Sequence, residues 1–183
     1  SEVEKLLRED RELNKRHVEK VRELSERNKE LLERHEEKLK KVAKEIEDRL
    51  RRLEEMLRRG EADEKVLKDL AKRIRDLLRD LTRHNKELNE ETERLLRELE
   101  DHNRRLKETS DRLRERLRRK TGDTDRLKRV EEESEELNKR SHETLRRLVE
   151  ENKKRNKELH ERVERIKRRL EKLLRELEEE IRK

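Results

Sequence analysis

Apolar residues recur along this chain at helical three- and four-residue spacing, in three long stretches separated by two short breaks. In the first stretch the apolar face runs Val3, Leu6, Leu7, Leu13, Val21, Leu24, Leu31, Leu32, Leu39, Val42, Ile46, Leu50, Leu53 and Leu57. The pattern closes on itself every 18 residues: Val3, Val21, Leu39 and Leu57 are equivalent, as are Asp10, Asn28 and Ile46, and His17, His35 and Leu53. The same step relates His84 to His102 and Asn85 to Asn103 in the second stretch, and His142 to His160 in the third. Eighteen residues fill five turns at 3.6 per turn, the period of a straight helix, whereas a seven-residue repeat would impose a left-handed supercoil. Nearly straight helices are therefore expected.

The breaks are "RRGEADEK" and "RKTGDTDR". Gly60 and Gly122 each suit the left-handed residue that ends a helix. Asp63 can cap the second helix and Asp123 or Thr124 the third, and Ser1 with Glu4 has capping-box spacing. This predicts helices near 2–59, 63–119 and 124–182, each about 85 Å long at about 1.5 Å per residue. Short connections make successive helices antiparallel neighbours. The expected fold class is all-α: one up-down-up three-helix bundle domain spanning 1–183, coiled-coil-like, with an 18-residue period.

Polar residues interrupt the apolar face at matching levels. With the first turn near Gly60, partners on the first two helices should have numbers summing to about 119–120, and the third helix should be offset from the first by about 125. That register gathers all six histidines into two layers, His17 with His102 and His142, and His35 with His84 and His160. Asn14, Asn103, Asn138 and Ser141 flank the first layer; Asn85 and Asn156 flank the second. Asn28, Thr92 and Asn152 share a level between them, and Asp10, Ser110 and Ser134 share one nearer the open end. The remaining third, Leu39 to Leu57 with Val66 to Leu81 and Val163 to Ile181, is almost purely aliphatic. The apolar stripe is narrow enough for three to close on one another, which favours a monomer. Self-association is the rival, because the doublets Leu31/Leu32, Leu95/Leu96 and Leu173/Leu174 leave apolar surface beside the seam.

These features resemble de novo designed helical bundles carrying buried hydrogen-bond networks. The resemblance spans the whole chain: long helices, a strict period, short loops, Leu/Ile/Val cores, and Asn, Ser, Thr and His confined to discrete core layers. It implies a structural scaffold without a natural biochemical function, whose networks set helix register. Histidine-containing networks are similar to those of pH-responsive members. Other members are interaction modules that self-associate or bind a partner helix, and this is the alternative reading. The serine at position 1 suggests a processed or tagged recombinant product; no natural localisation is expected, only a soluble protein expressed in a bacterial cytoplasm.

Composition agrees. Charged residues make up 60% of the 183, the apolar set 26%, and aromatic, proline and cysteine residues are absent. So polar a chain would ordinarily be disordered, but 58 basic and 51 acidic residues interleave as helix-supporting pairs and leave a net charge of only +7. Alternating signs and the lack of base-stacking aromatics argue against nucleic acid as a partner. No apolar run approaches the roughly 20 residues that span a bilayer, and no signal peptide is visible. Without cysteine there is neither a disulfide framework nor thiolate chemistry.

Candidate chemistry therefore rests on the histidines. A buried imidazole can donate from one nitrogen and accept at the other, so a satisfied network is the simplest role. A neutral buried imidazole should titrate below its free value of about 6.5, making stability fall as pH drops. Three imidazoles in a layer could instead hold Zn²⁺ with a water, although no H-x-x-x-H pair or layer carboxylate supports it, and no metal ligand is assigned. No catalytic residue, cofactor or small-molecule substrate is expected. Ser141 and His142 are adjacent, and adjacent helical positions point about 100° apart, so they do not form a nucleophile and base.

Overall fold

The computed structural model describes residues 1–61 and 63–182, without the side chains of Leu177, Glu180, Ile181 and Arg182. Three helices account for nearly all of it: α1 (Glu2–Arg58), α2 (Glu64–Lys120) and α3 (Thr124–Arg182). No strand occurs among the described residues, and each helix boundary lies within about a residue of the periodicity's expectation. The fold is an all-α three-helix bundle.

Each helix end has a local cause. At the start of α1 the Glu4 amide donates to Ser1 Oγ at 3.3 Å. Gly60 closes α1 with φ at 66°. The Glu61 amide donates to the Met56 carbonyl at 3.1 Å and the Gly60 amide to that of Leu57 at 3.3 Å, the paired bonds of a Schellman turn. Asp63 Oδ1 accepts from the Lys65 amide at 3.1 Å, and Asp123 Oδ1 from the Arg126 amide at 3.2 Å, so Asp123 rather than Thr124 caps α3. The second break differs from expectation. Gly122 does not take up a left-handed φ; instead Thr121 Oγ1 accepts from the Asp123 amide at 3.1 Å and turns the chain. A side-chain acceptor thus does the work assigned to glycine.

The chain forms two compact units, each drawing a segment from every helix: the first comprises 1–30 and 91–152, the second 31–90 and 153–183. In the second unit, Ile46, Leu50, Leu53, Leu67, Ile74 and Leu81 are fully buried, with Val163, Ile166, Leu170 and Leu173 packed against them from α3. This is the expected aliphatic third, with two amendments. Val66 is exposed, because Leu67 takes the inward position beside it. Ile181 lies outside the described side chains. Ala43 and Ala71 are also buried, small side chains that the spacing of branched apolar residues does not predict.

The first unit has a thinner core. Leu6, Leu7, Leu113, Leu117 and Val130 cluster at one end, with Leu24, Leu95, Leu99, Leu106 and Leu148 buried elsewhere. Among the described residues nine polar side chains are buried, and eight of them belong to this unit, His35 being the exception. The expected equivalences hold along α1: Asp10, Asn28 and Ile46 are all buried, as are His17, His35 and Leu53.

Candidate functional site

Within the first unit the polar side chains meet mostly as pairs between different helices. His17 is 1% exposed. Its Nδ1 lies 3.1 Å from His102 Nε2, and the two rings are nearly parallel with centroids 5.1 Å apart. Their numbers sum to 119, the register set by the Gly60 turn. Asn152 Nδ2 donates to Asn28 Oδ1 at 3.2 Å, joining α3 to α1 at an offset of 124. The Ser141 hydroxyl donates to Asn103 Oδ1, and the Ser110 and Ser134 hydroxyls lie 3.1 Å apart, so two contacts join α2 to α3. Asn14 Nδ2 donates to Asp10 Oδ2 at 3.4 Å, a contact within α1. Thr92 is buried on α2, and Asn138 on α3 is half-buried.

The layers of three imidazoles do not form as buried triads. His142 is exposed. One residue per helix can face inward at a given level, and at this level of α3 it is Ser141, whose small side chain fits against Asn103. The inward seam of α3 runs through Ser134, Ser141 and Leu148, a seven-residue step that leaves His142 on the flank. In the second unit His35 is buried and His84 half-buried, while His160 and Asn156 are exposed. Asn156 Oδ1 nevertheless accepts from Asn85 Nδ2 at 3.0 Å and from Asn89 Nδ2 at 2.9 Å. Asn89 was not among the expected sites. It lies one turn beyond Asn85 on the same flank of α2, and that i+4 spacing is the signal that would have found it. Asp10 accepts its hydrogen bond from Asn14 of its own helix rather than from Ser110 or Ser134.

The pairs leave polar atoms over. Asp10 Oδ1, His17 Nε2, Asn103 Nδ2 and Asn152 Oδ1 are buried without a hydrogen-bond partner in good geometry. Each such group costs about 1–3 kcal/mol, so this unit is held less firmly than an aliphatic one of equal size.

Electrostatics follow from the burial. The His17 pKa is lowered from 6.5 to about 4, chiefly by burial and next by His102, with the Leu137 backbone pulling weakly the other way. His102 is also lowered, by burial first and then by Lys20, with Glu98 opposing. A neutral pair has one donor and one acceptor facing each other across the 3.1 Å contact. One added proton preserves that arrangement, but a second sets two N–H donors face to face. Burial likewise raises the Asp10 carboxyl above its ordinary value, against the pull of Arg114.

No protein-family model and no curated protein matches the chain. It is similar to a solved structure described as a computationally designed three helix bundle, at 24% identity over 99% of this chain and 86% of that one, with a TM-score of 0.32. Among the described residues, no group of three or more histidine, aspartate or glutamate side chains is disposed to hold a metal ion, and no helix is long and apolar enough to cross a membrane.

Proposed function

We propose that this chain is a designed structural scaffold in which buried polar pairs align the helices of the first unit, and in which the His17–His102 pair makes that unit acid-sensitive. The reading rests on one observation: contacts His17–His102, Asn28–Asn152, Asn103–Ser141 and Ser110–Ser134 each join two helices, and together they join all three pairs of helices. An apolar layer can slide to a neighbouring position and still be buried. A buried hydrogen bond cannot, because each partner would be left unsatisfied at a cost of about 1–3 kcal/mol. Polar core residues in coiled coils fix register by this means, at some cost in stability. The experiment replaces Asn28, Asn103 and Asn152 by leucine and Ser110, Ser134 and Ser141 by alanine in one chain. The denaturation midpoint should hold or rise while the amide NMR spectrum multiplies into several resonance sets for 1–30 and 91–152. A single sharp set would sink the alignment role.

A further inference from the structure

The net charge is not shared between the units. Residues of the first unit include 27 acidic and 27 basic side chains, leaving 24 acidic and 31 basic in the second, which therefore holds the whole +7. Within the second unit the excess gathers on two helical segments. Residues 153–175 of α3 have 11 basic and 4 acidic side chains, and residues 65–86 of α2 have 8 and 3.

These two segments border one groove of about 670 Å³. Leu78, Leu170 and Leu174 form its apolar floor, Leu174 being half-buried. Its rim holds Arg75, Arg79, Arg83, Lys86 and Lys167 against a single acid, Glu171. The other helix seams of this unit are neutralised by ion pairs across them. Glu36, Glu47 and Glu54 of α1 meet Arg155, Arg162 and Arg169 of α3, and Glu45 of α1 meets Arg73 of α2. No ion pair joins α2 to α3 in this unit among the described residues. The rim cations that have partners take them from their own helix, Arg79 with Asp76, Arg83 with Asp80 and Lys167 with Glu164. Such exposed pairs hold their cations weakly, at about 0–1 kcal/mol. The groove thus sets four cations of α2 and Lys167 of α3 around leucines, with Glu171 of α3 the one acid on its rim.

We infer that this α2–α3 groove is a docking site for an acidic amphipathic helix. The helix would set an apolar stripe on Leu78, Leu170 and Leu174, and glutamates on either flank would meet the five cations. An extended polyanion would find the cations but no use for the leucine floor, and the groove offers no aromatic face for a base. Helix-in-groove binding by i, i+3 or i+4 anchors suits a trough with a leucine floor and a charged rim.

The test is fluorescence anisotropy with a labelled helical peptide of about 20 residues, leucine at the seam positions and glutamate flanking them. Three controls accompany it: the same peptide with lysine for glutamate, the same with serine for leucine, and a labelled duplex DNA. The acidic leucine peptide should bind, the two altered peptides should not, and Arg79→Glu with Arg83→Glu should weaken binding at least tenfold. Both arginines are mostly exposed, at 80% and 64%, so the variant should keep its far-ultraviolet circular dichroism. No binding by the acidic peptide overturns the inference. So does equal binding by the serine peptide or by DNA, either of which would make the face a general polyanion surface. Light scattering on the chain alone supplies the last arm: a dimer that the double reversal dissociates would assign the groove to a second copy instead.

Discussion

Acidification of the His17–His102 pair offers the sharpest perturbation, because its sign and size both follow from the burial of one ring. The unfolded chain protonates His17 near 6.5, the folded chain only near 4. Between those values the unfolded state binds a proton that the folded state refuses, so stability is constant above about pH 6.5 and falls as pH drops toward 4. At 1.36 kcal/mol per pKa unit the full loss is about 3 kcal/mol, and most of it is expressed by pH 4.5. His102, lowered in the same direction, adds to the loss. Asp10 opposes it: its carboxyl is raised by burial, so the folded state takes up that proton first. The assay is guanidinium unfolding followed by circular dichroism at pH 7.4, 6.5, 5.5 and 4.5. Glu54 and Glu2, held below their ordinary value by Arg169 and Lys120, lose stabilisation toward acid in every variant, so the comparison with His17→Leu removes their share. The wild-type midpoint should fall through this series, and in His17→Leu the fall should shrink by about 2–3 kcal/mol. An equal fall in both proteins would refute the reasoning, as would stability that does not change with pH.

Three further outcomes are expected. Asp10→Asn should stabilise the chain by about 1 kcal/mol or more at pH 7.4, since a buried charge is removed and the contact with Asn14 can persist; the gain should shrink toward acid, where Asp10 is itself neutral, as paired melts would show. Leu50→Ala, at a fully buried position of the aliphatic cluster, should cost about 2–5 kcal/mol in denaturant unfolding. Gly60→Ala should cost about 1 kcal/mol because its φ is 66°, whereas Gly122→Ala, with no left-handed φ and open space around it, should be neutral or stabilising by up to about 1 kcal/mol. Thermal melts of the two variants side by side separate the turns.

The helices, their ends and their mutual levels were legible in the sequence because periodicity and loop position determine them. The His17–His102 contact and the 124-residue offset of Asn28 and Asn152 follow from counting outward from the turns. Angular position was harder to read. Between Ser141 and His142, or Leu67 and Val66, a rotation of about 100° decides which side chain enters, and the choice depends on the volume offered by the facing helices. The second turn misled for another reason: a glycine permits a left-handed φ without requiring one. The charge asymmetry was hidden because signs alternate along the chain, and it emerges only when residues far apart in number are grouped by the unit they build.

One consequence of the uneven polar burial concerns α2 itself. Leu67, Ile74 and Leu81 are buried in the aliphatic cluster, while Thr92, Asn103 and Ser110 are buried polar side chains farther along the same helix. Helix propensity is nearly uniform along it, so what differs is how much each turn loses on opening. Amide protons of a single unbroken helix should then exchange with solvent at two distinct rates, slowly before about residue 90 and faster beyond it. A helix continuous in its hydrogen bonding would behave, in its opening, as two.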